Sequence, residues 1–139
     1  MTKAKMPVII RPICAADRHA WEGLWTAYLE FYGTSVSAQI YETTFSRLLG
    51  DDPQDFNGLV AQQDGILVGL THFVFHRHCW TIENVCYLQD LFVSPAARGT
   101  GCGRALIEAV YDVADQQDAA NVYWSTQIDN VAGLSLIHI

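Results

Sequence analysis

Two stretches in the first third of the chain carry apolar residues at helical spacing. In the first, large apolar side chains recur three and four positions apart, at Trp21, Leu24, Trp25, Tyr28 and Leu29. This spacing predicts an amphipathic helix from Asp17, its N-cap, to about Phe31, with Gly33 beyond its end. A shorter helix is predicted over 38–49. The stripe on the first helix is interpreted as a core-facing surface rather than as an aromatic binding box.

Runs of β-branched, aromatic and other apolar residues predict five strands. They cover residues 8–12, 58–62, 66–75, 86–93 and 122–127. The Asp64-Gly65 pair between the second and third runs is a strong hairpin signal, and Pro95 breaks the chain after the fourth. With a third helical pattern over 105–116, the order is β-α-α-β-β-β-α-β, which predicts a single α/β (α+β) domain.

The chain between the fourth strand and the third helix is rich in glycine: Arg98-Gly99-Thr100-Gly101-Cys102-Gly103-Arg104. Three alternating glycines remove every Cβ that would block close approach, so main-chain N–H groups can converge on one point. The helix start adds its own unpaired donors and its positive dipole end. Such a turn favours a phosphate or pyrophosphate as ligand. A dinucleotide fingerprint would stand in a first strand-helix unit, and a Walker loop needs Lys followed by Ser or Thr where Arg104 and Ala105 stand.

Length and charge exclude several classes of protein. At 139 residues, half of them hydrophobic, the chain is long enough for one core and one domain. Its net charge of −7 and only eight Lys and Arg residues argue against nucleic-acid binding. No apolar run approaches the roughly 20 residues of a membrane span. The first residues lack the apolar segment of a secretory signal, so the cytoplasm is the expected location.

Cysteine and histidine do not form a metal-binding pattern. The four cysteines show neither a CxxC pair nor zinc spacing, and reduced thiols are expected. Cys102 is the exception to consider, because a helix start lowers the pKa of a thiol; a bystander role is nevertheless the preferred interpretation. His76 and His78 would share one face of a strand, but no third and fourth ligand stands at suitable spacing. No metal site is predicted.

The glycine-rich segment resembles the acetyl-CoA pyrophosphate loop of the GNAT (Gcn5-related N-acetyltransferase) superfamily. The family pattern is Arg/Gln-x-x-Gly-x-Gly/Ala, and this chain has Arg98-Gly99-Thr100-Gly101-Cys102-Gly103. The preceding DLFVSP strand and the order of elements from about Val8 to Asn130 also resemble the family. The YLEFYG, CYLQDLFV and VYWSTQ segments are similar to the branch of diamine acetyltransferases and yeast-type histone and D-amino-acid acetyltransferases. The resemblance implies a mixed, mostly antiparallel central sheet flanked by helices, and acetyl-CoA as co-substrate.

The same resemblance implies which residues hold the co-substrate. The pantetheine arm would lie along the main chain of Leu91, Phe92 and Val93 like an added strand. The pyrophosphate would be bound by the loop, which comprises Arg98, Gly99, Thr100, Gly101, Cys102, Gly103 and Arg104. Asn130 would contact the co-substrate from the other side of the gap.

For acetyl transfer, the resemblance implies that the main-chain N–H of Phe92 donates to the oxyanion. Asp90 or, as a second candidate, Glu83 would orient or deprotonate the amine. Asp90 fits a structural role, bonded across the splayed strands, equally well. The candidate acceptor-binding residues are Glu30, Tyr32 and Gln89. Diamine acetyltransferases carry Glu where Gln89 stands, which argues against a polyamine.

The end of the chain departs from the family pattern. Family members continue with Asn-x-x-Ala-x-x-Leu-Tyr, and the chain follows this from Asn130 to Gly133 before ending in Leu-Ser-Leu-Ile-His-Ile. That hexapeptide resembles the translation of a transposon-end adapter used in sequencing libraries. Residues 1–133 are therefore expected to be one incomplete GNAT domain without its last strands, and 134–139 a non-native tail. Because Ile137 stands where the family carries its tyrosine acid, the chain as given is expected to be inactive and of low stability.

Three functions fit these observations. The preferred one is an N-acetyltransferase that moves an acetyl group from acetyl-CoA to a primary amine of a small molecule, of amino-acid or polyamine type, by direct attack in a ternary complex. A protein-lysine acetyltransferase of the histone type and a catalytically silent acyl-CoA-binding module are the alternatives. Neither nucleic acid nor membrane is an expected partner, and whether the protein forms a homodimer is left open.

Overall fold

The computed structural model describes residues 7–125. Within them lie three α-helices and five strands: β1 Ile9–Pro12, α1 Arg18–Phe31, α2 Ala38–Leu49, β2 Asn57–Gln63, β3 Ile66–His76, β4 Val85–Val93, α3 Cys102–Gln116 and β5 Val122–Tyr123. The predicted order of elements is confirmed. Asn130, the end of the predicted 122–127 strand and the predicted tail at 134–139 lie outside the described residues.

The strands form one mixed sheet in the order β1-β2-β3-β4-β5. Neighbours from β1 to β4 pair antiparallel, and β5 pairs with β4 in parallel. The β2–β3 hairpin turns at Asp64 and Gly65, which both have positive φ, 54° and 77°. Two successive residues of positive φ fit the twist of a tight hairpin, which is why the Asp-Gly pair marked it in the sequence.

Helices cover both faces of the sheet, and the strands alternate between two cores. Along β2, Leu59 and Ala61 belong to the core under α3, whereas Val60 belongs to the core under α1 and α2. The α3 core includes Phe73, Cys86, Leu88, Leu106, Ile107 and Val110. The other core includes Leu70 and Phe92 of the sheet with Trp21, Trp25, Phe45 and Leu48 of the helices. The aromatic stripe on α1 is therefore mostly core, as predicted.

A β-bulge in β4 determines which face the second half of that strand presents. Leu88 pairs with Phe73 and Asp90 pairs with His72, so Gln89 has no partner in β3. A bulge of one residue shifts the alternation of side chains along the strand. Leu88 accordingly faces the α3 core, while Phe92, four positions later, faces α1. Asp90 shares the face of Phe92, where it meets His72.

The connection from β1 to α1 differs from the prediction at Asp17. The Asp17 carboxylate makes no capping hydrogen bond to α1. It accepts instead from both terminal nitrogens of Arg11, at 2.8 and 2.9 Å, and from the main-chain N–H of Cys14 at 2.8 Å. Hydrogen bonding from Arg11 lowers the pKa of Asp17 to about 2. The residue thus ties the end of β1 to the start of the helix.

Candidate active site

Strands β4 and β5 separate soon after they meet. Their pairing consists of Cys86 with Val122 and Tyr87 with Tyr123, and the main-chain N–H of Cys86 donates to Asn121 at 2.9 Å. Beyond Tyr87, no residue of the described chain pairs with β4 on this side. The second half of β4 therefore presents an open main-chain edge, of the kind that an extended ligand can join.

The peptide groups of Phe92 point toward β3, away from this edge. The main-chain N–H of Ser94 donates to Val68 of β3 at 2.8 Å. A Cβ placed on Gly69 of β3 would lie 3.1 Å from the carbonyl oxygen of Phe92. Since N–H and C=O directions alternate along a strand, the N–H of Phe92 points to β3 like that of Ser94.

The peptide groups of Leu91 and Val93 face the open edge instead. The carbonyl oxygen of Val93 lies outside the β3–β4 ladder and accepts from Nε of Arg98 at 3.1 Å. By the same alternation, the N–H groups of Leu91 and Val93 point to the edge. This geometry corrects the expectation that Phe92 donates to an oxyanion: its N–H is used within the sheet, and Leu91 offers the corresponding donor.

The glycine-rich loop leads directly into an uncapped helix start. Gly99 and Gly101 have φ of 82° and 84°, and a Cβ on either would meet no atom within 4 Å. The helix begins at Cys102, earlier than the predicted Ala105, with Gly101 as its N-cap. No side chain caps it and no acidic residue lies in its first turn. The amide of Ala105 is the first to bond back into the helix, to Gly101 at 3.0 Å.

The N–H groups at the helix start are therefore free to bind a ligand. Those of Cys102, Gly103 and Arg104 precede the first helical hydrogen bond. The exposed side chains of Arg98 and Arg104 flank them. Thr100 instead stabilises the loop, because its hydroxyl donates to the carbonyl of Ala97. Positive dipole, unpaired donors and two guanidinium groups together make an anion site.

Cys102 contributes only its main chain to that site. Its side chain is buried, and burial raises the pKa of the thiol to about 11. The sulfur packs so closely against β3 that a Cβ on Gly69 would come within 3.1 Å of it. The expectation of a lowered pKa is wrong, because desolvation of the thiolate outweighs the field of the helix start. The bystander interpretation agrees with this burial.

Asp90 lies on the α1 face, next to the open edge. Its side chain is 16% exposed, and Oδ2 lies 2.8 Å from Nδ1 of His72. The Tyr28 hydroxyl of α1 lies close enough to this carboxylate to interact with its charge. Burial, reinforced by the Asp90 charge, raises the pKa of Tyr28. The Tyr28 ring meets the edge of Phe92 at 6.3 Å between centroids and tilts against Tyr32 at 5.1 Å.

His72 is the site residue that the sequence analysis missed. It is 3% exposed, and its Nε2 lies 3.0 Å from the indole nitrogen of Trp21. The sequence did contain one signal: a histidine in the middle of an otherwise apolar strand must find hydrogen-bond partners once buried. Its two partners, Trp21 of α1 and Asp90 of β4, lie far from it in the sequence, so the local pattern reveals neither contact.

The other candidates lie at different distances from Asp90. Tyr32 is half-buried beside Tyr28, and Gln89 is exposed at the bulge next to Asp90. Glu30 is exposed and lines a shallow depression with Gly33. Glu83 is exposed and precedes β4. Val85, two residues after Glu83, already lies about 16 Å from Asp90 along an extended strand. Glu83 and Asp90 are therefore not brought together.

The described part of the chain shows no metal cluster. Across residues 7–125, no three His, Cys, Asp or Glu residues are grouped to hold an ion. β3 ends at His76, so His78 lies outside the strand. The prediction that the two histidines share one strand face is therefore wrong. His76 bonds the Tyr123 hydroxyl at 2.6 Å, and His78 accepts from the Trp80 amide at 3.1 Å. No helix among these residues is long and apolar enough to cross a membrane.

Comparisons with known proteins agree with this geometry. The chain is 34% identical over 120 residues to the D-amino-acid N-acetyltransferase HPA3 of Saccharomyces cerevisiae, covering 86% of this chain and 74% of that protein. It is 37% identical over 73 residues to the thialysine N-epsilon-acetyltransferase of Mus musculus, covering 47% and 42% of the two chains. The fold matches the aminoglycoside N-acetyltransferase AAC(6')-Iy in complex with CoA, with a TM-score of 0.83, 17% identity and 99% and 88% of the two chains covered. The Acetyltransferase (GNAT) family model matches residues 19–138, and the chain therefore belongs to the GNAT acetyltransferase family.

Proposed function

We propose that the protein transfers the acetyl group of acetyl-CoA to a primary amine of a small molecule, by direct attack in a ternary complex. Acetyl-CoA is the co-substrate that acetyltransferases of this family use. One observation carries the proposal: the open edge of β4 connects an uncapped, glycine-rich helix start to a half-buried carboxylate. The first can hold a pyrophosphate and the second can receive an amine.

The residues present fit acetyl-CoA at each part of its length. Leu91 and Val93 offer main-chain donors and acceptors to the amides of a pantetheine arm. The amides of Cys102, Gly103 and Arg104 offer donors to the pyrophosphate. Arg98 now bonds the Val93 carbonyl and lies 5.7 Å from the Phe92 ring. It would have to release that carbonyl for the arm to use it. Asn130 stays a proposed contact outside the described residues.

The chemistry needs a neutral amine, a donor for the developing oxyanion and a group that takes a proton. Leu91 N–H is the proposed oxyanion donor. Asp90 is the proposed group that orients the amine and accepts its proton, directly or through a water molecule. Since Oδ2 already bonds Nδ1 of His72 at 2.8 Å, the carboxylate has one preferred orientation. Glu83 is too distant to share this role.

The surroundings of Asp90 favour an acceptor amine that approaches as an ammonium ion and loses its proton in the site. Tyr28 interacts with the carboxylate and its ring contacts those of Tyr32 and Phe92, and such rings attract ammonium groups. The net charge of −7 favours the same class of molecule. The names of the two relatives, an amino-acid and a thialysine acetyltransferase, support a small amine rather than a protein substrate.

The test combines binding with turnover. Because Ile137 stands where the family carries its tyrosine acid, turnover is measured in chains that carry Ile137→Tyr. Calorimetry should detect binding of acetyl-CoA and none of NAD, and CoA release should occur with members of a panel of amino acids, polyamines and histone peptides. The isosteric Asp90→Asn change keeps an acceptor for His72 but removes the base, so kcat should fall about 100-fold or more. Binding of NAD instead of acetyl-CoA, or turnover with peptides alone, would contradict the proposal. So would an unchanged rate in the Asp90→Asn variant.

A further inference from the structure

We propose that Trp21 and His72 form a fixed hydrogen-bond chain that sets the tautomer of His72 and holds the Asp90 carboxylate in the orientation that receives the acceptor amine. This inference rests on the proposed function and adds two positioning residues to it. His72 acts through Asp90, and Trp21 acts through His72. Neither residue touches the co-substrate.

The geometry determines which ring nitrogen of His72 carries its proton. Nε2 lies 3.0 Å from Nε1 of Trp21. An indole N–H can only donate, so Nε2 must be the acceptor and cannot carry a proton itself. Nδ1 then carries the proton and donates it to Oδ2 of Asp90 at 2.8 Å. A second proton on His72 would set two N–H groups against each other in a buried site.

Burial gives this chain its rigidity. Trp21 is 0% exposed and its ring stacks on Trp25 at 5.2 Å and packs against Phe45 at 5.0 Å. His72 is 3% exposed and contacts the rings of both Trp21 and Trp25. Water cannot replace Trp21 as the donor without disrupting this packing. The tautomer of His72 is therefore set by the fold.

The groups that face this chain are mostly neutral. From α1 come Tyr28 and Tyr32, from α2 comes Tyr41, and from β4 come Tyr87 and Asp90 itself. Two guanidinium groups lie over aromatic rings of the same core, that of Arg18 over Phe45 and that of Arg98 over Phe92. In the described residues, no Lys or Arg forms an ion pair with Asp90.

A neutral partner serves a base better than a cationic one. A guanidinium beside Asp90 would stabilise its charged form and weaken it as a proton acceptor. The Nδ1–H of neutral His72 fixes the same carboxylate oxygen with a much smaller electrostatic cost to its basicity. The indole of Trp21 thus has a catalytic consequence, because its N–H fixes the tautomer of His72 whose Nδ1–H meets the carboxylate.

The first arm of the test reads the tautomer directly. Two-bond ¹H–¹⁵N correlation spectra of the wild-type chain should show the tautomer of His72 with Nδ1 protonated and Nε2 unprotonated. In Trp21→Phe the donor to Nε2 is gone, so signals of the tautomer with a proton on Nε2 should appear. A wild-type spectrum with protonated Nε2 would overturn the proposal without any need for a variant.

Trp25→Phe is the matched control. Trp25 is also buried and also contacts the His72 ring, at 5.8 Å between centroids, but its indole nitrogen has no hydrogen-bond partner. The two variants lose the same ring atoms from the same core, and only Trp21→Phe loses a hydrogen bond to His72. Thermal unfolding followed by circular dichroism should show both variants folded, with Trp21→Phe the less stable because it alone leaves a buried acceptor unpaired.

The second arm reads catalysis as the ratio of the two variants. The kcat/KM of Trp21→Phe for the amine, divided by that of Trp25→Phe, cancels the general effect of losing a buried indole ring. This ratio should be about 0.1, and the two variants should share one KM for acetyl-CoA, because only Trp21 holds the ring that orients Asp90. Equal kcat/KM values in the two variants would overturn the positioning role. If the tautomer is as expected but the Ile137→Tyr chain releases no CoA with any amine, the proposed function fails while the hydrogen-bond chain stands.

Discussion

At the residue scale, the absence of a side chain at Gly101 allows a phosphate to approach the main chain of the loop. Gly101 has φ of 84° and open space beyond its Cα. In Gly101→Val, a β-branched side chain would adopt an unfavourable backbone conformation and would project into the space that the structure leaves in front of the helix start. We expect loss of acetyl-CoA binding by calorimetry, at least 100-fold in Kd.

Strain alone could weaken the protein, so the control must carry the same strain elsewhere. Gly65 has φ of 77° and equally open surroundings, in the β2–β3 hairpin. Gly65→Val should lower the melting temperature to a similar extent and leave acetyl-CoA binding intact. If both variants lose binding equally, the loop has no special role.

Thiol burial gives a second prediction at the same scale. Cys14 and Cys79 are exposed, whereas Cys86 and Cys102 are buried, and burial raises the pKa of both buried thiols to about 11. Only thiolates react rapidly, so a disulfide reagent at pH 8 should modify two cysteines quickly and the other two only after denaturation. Fast labelling of Cys102 in the native protein, located by mass spectrometry, would disprove its burial.

At the scale of elements, the sequence predicted most of the architecture because the patterns are local. Helix α2 was predicted at its observed bounds, since its apolar spacing and its end at Gly50 lie within one short stretch. The start of α3 was predicted too late because Gly101 and Gly103 disfavour helix by propensity. The structure nevertheless begins the helix at Cys102, whose side chain packs into the α3 core.

The parts that were not predicted depend on tertiary register. The direction of the Phe92 peptide follows from its pairing with Leu70, and no periodicity along β4 reveals it. The bulge at Gln89 is likewise visible only in the pairing with β3. His72 and Trp21 stand 51 positions apart, and their contact depends on how α1 lies on the sheet.

The link between β1 and α1 should make stability depend on acid. The folded-state pKa of Asp17 is about 2, below its ordinary value of 3.8, and its side chain is 8% exposed. The stabilisation is therefore present above pH 4 and is lost as the pH falls from about 4 through 2, by roughly 2 kcal/mol at most. Urea unfolding across this range should show the loss.

Two variants separate this pair from general acid effects. Asp17→Asn should be less stable than the wild-type chain at pH 7, and the difference should vanish near pH 2. Asp112, exposed on α3, offers the control: Asp112→Asn should match the wild-type chain throughout. A difference between Asp17→Asn and wild type that persists at pH 2 would mean that packing, not charge, is what the residue contributes.

At the scale of the whole molecule, the sheet is least extensively paired between β4 and β5. Within residues 7–125, β4 and β5 share two residue pairs, whereas β3 and β4 pair along nearly their full length. A ligand that lies along Leu91 and Val93 would supply the missing main-chain partners of β4 and contact α3 at the same time. Binding there should stabilise the folded chain as a whole, because the folded state alone presents this edge and the helix start together.

The expected size of that stabilisation follows from mass action. At a free acetyl-CoA concentration 100 times Kd, the folded state gains about 2.7 kcal/mol, which for a domain of this size should raise the melting temperature by roughly 10 °C. The Gly101→Val variant should show no such shift, and NAD at the same concentration should produce none in the wild-type chain. A shift with adenosine alone, equal to that with acetyl-CoA, would mean that the β4 edge takes no part in binding, because adenosine has neither a pantetheine arm to pair with Leu91 and Val93 nor a pyrophosphate to meet the start of α3.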